Sequence, residues 1–148
     1  MKKILSLFVL VLAAVSVTSA QLRKIPSEVT NAFKAKYPDA TNVSWKDKIT
    51  VFQASFVNDG QEMKADFSSN NGWQETAVRK SFEQLPEDVL DGFEKSKYNE
   101  WTHGEYFFEI LKNDNSVQYR IYVEKNAIQK KFLFFNTKGQ LERESLTM

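Results

Sequence analysis

The chain has no cysteine, which excludes disulfides, thiolate metal sites, iron–sulfur clusters and cysteine nucleophiles together. Among its 148 residues there is a single histidine, so a conventional four-ligand zinc site lacks its usual donors. Proline is scarce at three residues and glycine at five, a composition unlike that of low-complexity chains. Charge of one sign is missing too: twenty basic and nineteen acidic residues leave a formal charge of +1. Such a balance supplies no general attraction to nucleic acid or to acidic membrane surfaces. What the chain does have is aromatic bulk, twelve Phe, five Tyr and three Trp, enough to fill a core.

The one long apolar run, Ile4 through Val15, follows Lys2 and Lys3 and gives way to Ser16, Val17, Thr18, Ser19 and Ala20. This is the layout of a secretory signal peptide over residues 1–20, with cleavage expected before Gln21. The run is short of the roughly 20 residues that a spanning helix needs. No cysteine stands at the cleavage point to accept a lipid. A periplasmic or secreted protein with no membrane span after cleavage is the expected product.

The remainder reads as one unit written twice. Ile25-Pro26-Ser27-Glu28-Val29 with Phe33 and Tyr37 recurs sixty residues on (Pro86 minus Pro26) as Leu85-Pro86-Glu87-Asp88-Val89 with Phe93 and Tyr98. Proline at the start, carboxylates at the positive end of the dipole and apolar residues every four positions predict two short amphipathic helices. Pro38 ends the first, and Asn99 is a candidate left-handed cap for the second. Gly92, where the first copy has Ala32, costs roughly 1 kcal/mol of helix propensity.

Beyond each helix the period falls to two. Phe52, Ala54 and Phe56 alternate with polar residues, Asn58-Asp59-Gly60 turns the chain, and Met63, Ala65 and Phe67 alternate again. Asn71-Gly72 leads into a strand through Trp73 and Val78. In the second copy the offset is sixty-seven (Tyr119 minus Phe52): Tyr119, Ile121 and Val123 match the first of these strands, Phe132 and Phe134 match Ala65 and Phe67, and Gly139 matches Gly72. Glu105 to Lys112 reads as a longer strand in the second copy, opposite a short one around Val43 to Lys46 in the first. The expected fold is α+β: two tandem repeats, residues 21–80 and 81–148, each a helix packed on a four-stranded antiparallel sheet. A half of about sixty residues is marginal alone, so the halves are expected to share a core or a continuous sheet and to pack as one unit.

The apolar residue and proline before the helix, Phe33, Lys36-Tyr37-Pro38, Trp45, the Phe52 to Phe56 strand, and Phe67 to Gly72-Trp73 with Glu75 resemble the PepSY-like, β-lactamase-inhibitor-like proteins of the bacterial envelope. The second copy departs from that pattern at Asn99, Lys130 and Gln140. The resemblance implies two helix-on-sheet units with the other sheet face open, and protein binding by analogy with inhibitors of that fold. It brings no catalytic residues and no cofactor.

Candidate chemistry is thin. His103, beside Gly104 and near Glu100 and Glu105, reads as a surface loop residue rather than a metal ligand or a general base, and no nucleophile-elbow sequence accompanies any serine. Glu87-Asp88 belongs to a helix start, and Glu142 and Glu144 to a solvent-facing strand. Asn58-Asp59-Gly60 and Asn70-Asn71-Gly72 suit turns better than calcium loops. Lys125, Lys130 and Lys131 read as a solvated edge. The chain is expected not to be an enzyme.

The sheet face opposite the helices is more informative. With Phe52, Phe67, Ile121 and Phe134 directed at the helices, alternation sends Ser55, Lys64 and Asp66 to the other face in the first half, and Tyr122, Lys131, Leu133 and Phe135 in the second. An apolar-aromatic patch of this kind is either an interface or a seam where the halves pack, unless the parity slips at a bulge. The expected binding residues are Tyr122, Leu133 and Phe135 on this face, joined by Trp45, Trp73 and Trp101. The expected partner is another envelope protein, such as a hydrolase under inhibition, and no nucleic acid. The alternative is a carrier holding a small lipid or haem-like ligand between sheet and helices.

Overall fold

The computed structural model describes residues 24–147 apart from residue 71; the expected signal peptide lies outside the described residues. The order is α1 (Ser27–Lys36), β1 (Thr41–Asp47), β2 (Phe52–Asn58), β3 (Gln61–Ser68), β4 (Gly72–Lys80), a 3₁₀ turn (Phe82–Gln84), α2 (Glu87–Glu94), β5 (Thr102–Lys112), β6 (Val117–Glu124), β7 (Lys130–Asn136) and β8 (Leu141–Leu146). All eight strands form one antiparallel sheet in sequence order.

The expectation of two repeats, each a helix on its own four-stranded sheet, is therefore corrected. β4 pairs with β5 from Glu75↔Lys112 to Lys80↔Phe107, so the strands that would have been two open edges satisfy each other. Among the described residues, β1 and β8 remain as the two edges.

Both helices lie on the same face of this sheet. Val29 and Phe33 of α1 pack on Phe52, Ala54, Phe56, Ala65 and Phe67. Val89 and Phe93 of α2 pack on Phe107, Tyr119, Ile121, Val123, Leu133 and Phe135. The register joins the two clusters: Ala65 lies opposite Thr76, Val78 opposite Glu109, and Glu109 opposite Tyr119, so side chains from β3 to β6 share one side. Thr76 is a polar residue buried on that side, and its hydroxyl is satisfied by the Trp73 indole N–H at 2.8 Å and by the Tyr37 hydroxyl.

Local chemistry explains most element ends. Asp59 (φ 50°) and Gly60 (φ 74°) both take left-handed conformations, which a two-residue hairpin turn requires. α1 ends at Lys36, before Pro38, as the sequence predicts. α2 ends earlier than expected: it stops at Glu94, capped by Lys95 in a right-handed conformation, and Asn99 is not among the residues with positive φ.

Gly92 has a packing role that propensity hides. A Cβ there would stand 1.9 Å from the Gly139 carbonyl oxygen, and a Cβ on Gly139 would stand 1.8 Å from the Asp88 carbonyl oxygen. Helix α2 thus lies backbone against backbone on the β7–β8 turn, at a distance only glycine allows. Gly92→Ala gains roughly 1 kcal/mol of helix propensity but must displace that turn, and overpacking of this kind costs about 1–3 kcal/mol. A lower urea midpoint for Gly92→Ala is the expected outcome, and a higher one would refute the contact.

Candidate functional site

The face away from the helices is uncovered, and its composition follows from strand parity. Phe134 pairs with Arg120, and Arg120 with Phe108, which places all three on this side with Ala77 and Ile110. Tyr122 lies opposite Phe132. The result is a strip of aromatic rings across β5, β6 and β7.

Cations lie on these rings. The Arg79 guanidinium is 3.9 Å from the Tyr106 ring centroid, Arg120 is 4.5 Å from Phe108 and 5.0 Å from Phe132, and Arg143 is 3.7 Å from Phe134. Each planar guanidinium covers apolar surface that would otherwise meet water. Tyr122 meets Phe132 edge to face at 5.7 Å, and its hydroxyl donates to Glu124 at 2.7 Å. The Tyr122 ring also lies where a Cβ on Gly104 would reach, 2.8 Å from its Cδ1, so a glycine lets the ring lie flat on β5.

Between these residues is a cleft of about 630 Å³. Its lining includes Lys64, Arg79, Tyr106, Phe108, Arg120 and Phe132, with Glu62 the acidic member. Arg79 pairs with Glu62 at 2.5 Å. Tyr106, at 49% exposed, stands at the mouth.

The expected site residues divide sharply. Tyr122 is on the open face and lines the cleft. Leu133 and Phe135 are not: both are 0% exposed, in the core under α2. Their neighbours Phe132 and Phe134 take the open side instead. The cause is one residue of loop. Paired Ala54 and Ala65 are eleven residues apart, whereas paired Ile121 and Leu133 are twelve apart. A shift of one residue turns every side chain of a strand to the opposite face.

The three tryptophans are also elsewhere. Trp45 packs edge-on to Phe33 at 5.2 Å, Trp73 carries the Lys36 ammonium 3.6 Å from its ring centroid, and Trp101 packs edge-on to Tyr98 at 5.0 Å. All three flank the cores on the helix side, away from the cleft. His103 is on strand β5 rather than in a loop, stacked on Phe82 at 4.7 Å. Among the described residues no group of three or more His, Asp or Glu side chains is placed to hold a metal ion.

Two charged residues read as solvent-facing form a helix-side cluster. Lys131 Nζ donates to Glu144 at 2.6 Å and to the Tyr98 hydroxyl at 3.0 Å, and Lys97 reaches Glu144 at 2.9 Å. The Tyr98 hydroxyl itself donates to Glu144. The Lys131 ammonium, then Tyr98 and Lys97, hold the Glu144 carboxyl far below its ordinary 4.5, at about 2.

Solved structures share this architecture. No protein-family model matches the chain, and no curated protein does. A DUF2874 family protein from Bacteroides uniformis superposes with a TM-score of 0.75 at 21% identity, over 82% of this chain and 89% of that one. A candidate periplasmic protein from Bacteroides eggerthii gives 0.74 at 22% identity, over 82% and 88%. A BLIP-like protein from Bacteroides fragilis gives 0.71 at 29% identity, over 83% and 88%. The chain has the BLIP-like fold. Among the described residues no helix is long and apolar enough to cross a membrane.

Leu133→Ala is expected to cost about 2–5 kcal/mol, the range for a truncated core leucine, while Tyr122→Ala costs much less; chemical denaturation separates the two. The Glu144 carboxyl is depressed in the folded state, so its contribution to stability is fully present above 4.5 and is lost as pH falls through about 2. Glu144→Gln should therefore melt below the wild type near neutral pH, with the gap closing on acidification through that window. A gap independent of pH would show that the ion pairs do not carry the effect.

Proposed function

We propose that this chain is a non-catalytic binding protein of the bacterial envelope that engages another protein through the cleft on its open sheet face. The observation that carries the reading is the strip of Tyr106, Phe108, Tyr122 and Phe132 interleaved with Arg79 and Arg120. Aromatic residues and arginine are the types enriched where protein interfaces draw their energy. The BLIP-like neighbour from Bacteroides fragilis supports an inhibitor-like role of this kind, and an envelope hydrolase is the target class to test first.

Within the BLIP-like fold we read the chain as PepSY-like, on the residues of its first half given above. Export rests on the signal-peptide pattern of residues 1–20 and agrees with the description of the Bacteroides eggerthii neighbour. A non-catalytic role is supported by the contacts of His103, whose ring stacks on Phe82 and whose Nδ1 lies 3.2 Å from its neighbour's carbonyl.

One observation favours a second reading. A cleft of about 630 Å³ lies within the roughly 300–1,000 Å³ usual for small-molecule sites. A carrier would use the open face, however, not a space between sheet and helices, where the two aromatic cores are packed.

The test is capture of envelope and secreted proteins of the source cells on the immobilised chain, compared with a Tyr106→Ser/Tyr122→Ser/Phe132→Ser variant. A partner held by the wild type, purified, and bound at least a hundredfold more weakly by the variant is the expected result. Binding indifferent to the three substitutions would overturn the open-face assignment. A lipid or haem-like molecule copurifying with the wild type alone would favour the carrier.

A further inference from the structure

Arg120 differs from Arg79, the other guanidinium of the cleft. Its neighbours across β5 and β7 are Phe108 and Phe134, and its guanidinium is flanked by the rings of Phe108 and Phe132. Arg79 has Glu62 at 2.5 Å. Arg120 has no such neighbour: among the described residues it enters no salt bridge, and its Nε is buried with no hydrogen-bond acceptor.

A buried guanidinium N–H without an acceptor is an expensive feature in a free protein. Burial pushes the Arg120 guanidinium below its ordinary value despite the attraction of Glu75 and Asp66. Glu75 and Asp66 offset part of that cost, but among the described residues neither forms a salt bridge with Arg120. Lys64, Arg79 and Arg120 line the cleft against Glu62, and Glu62 is already engaged with Arg79.

We propose that the cleft receives an acidic side chain of a partner protein, flanked by apolar residues, with its carboxylate seated on Arg120. This rests on the protein-binding reading above and names the chemistry of the partner. The planar guanidinium presents a fork of donors matched to a carboxylate, and an ion pair formed between aromatic walls is screened less than one in water. The aromatic walls suit apolar neighbours on either side of the acid. The cleft opens onto the sheet face beside the exposed Tyr106, as a projecting protein loop requires.

The experiment is selection of a displayed random-peptide library on the purified protein. The binders are then tested against Arg120→Met and against the Tyr106→Ser/Tyr122→Ser/Phe132→Ser variant. Methionine keeps an unbranched apolar stem between the rings and removes the buried charge, so Arg120→Met is expected to melt at or above the wild type. Enriched peptides should carry Asp or Glu beside apolar residues. They should lose at least tenfold in affinity for Arg120→Met, and a Glu→Gln change in the peptide should cost the same factor.

Peptides that depend on the three aromatic residues but bind Arg120→Met unchanged would overturn the carboxylate assignment and leave the protein-binding reading standing. Peptides indifferent to both variants, or no enrichment at all, would overturn both. Dodecanoate, titrated separately, tests the competing occupant. Saturable dodecanoate binding that requires Arg120, with no acidic bias among the peptides, would also overturn the proposal.

Discussion

The pairing of β4 with β5 is the interaction on which the rest of the molecule depends. Neither half encloses the cleft: Lys64 and Arg79 come from β3 and β4, and Tyr106, Phe108 and Arg120 from β5 and β6. Hydrogen bonding from Glu75 to Lys80 across to Lys112 and Phe107 brings these four strands side by side and sets their parity in common. It also assigns both helices to one face, which leaves the other face free along its whole width. A break in this ladder would expose two long strand edges and divide the cleft.

An open sheet face carrying Phe108, Phe132 and Phe134 poses a solubility problem, and the chain answers it with cations. Arg79, Arg120 and Arg143 each lie across a ring within 5.0 Å of its centroid, replacing ring–water contact with ring–guanidinium contact. The opposite face uses a different solution. There α1 and α2 bury their apolar stripes, and the closest approach, Gly92 against Gly139, is backbone on backbone. One face is thus sealed by packing that tolerates no added atom, and the other by side chains that can rotate away.

Much of this was legible in the residues. The two helices follow from the Pro26 and Pro86 starts and the four-residue spacing of Val29 with Phe33 and Val89 with Phe93. The β2–β3 hairpin follows from alternation and Asp59-Gly60, and its inward residues are those the alternation selects. The reading as two four-stranded units, with a continuous sheet only one of two ways of joining them, fell short because strand pairing between β4 and β5 has no local signature; Ala77 and Ile110 are distant in sequence and become neighbours only in the register. Leu133 and Phe135 were assigned to the wrong face because β7 reads Phe132-Leu133-Phe134-Phe135, apolar on both sides, so composition cannot choose the parity. A usable signal lay in the loop. Asn126 Oδ1 accepts from the Ile128 and Gln129 backbone N–H groups, an Asx turn that lengthens the β6–β7 connection relative to the Asp59-Gly60 turn. Arg120 went unread for a different reason: an arginine within Tyr119-Arg120-Ile121-Tyr122 looks like an ordinary outward residue until its aromatic walls are known.

Both faces of β7 are apolar, and this has a physical consequence for how binding and stability are divided. Leu133 and Phe135 are fixed by burial under α2 and report on folding, whereas on the other face of the same strand Phe134 is buried beneath Arg143 and Phe132, beside Arg120, is only partly buried. A guanidinium lying over a ring can cover it while its unburied donors stay free, so a partner that supplies an acceptor to those donors adds a hydrogen bond without first stripping the ring bare. The aromatic strip therefore stays covered in the free protein, and the binding proposed above would not require that cover to be removed first. The cost of that arrangement falls on Arg120, the cleft residue whose Nε is buried without an acceptor. Because Arg120 also lines the cleft, the binding proposed above would place its gain at this residue.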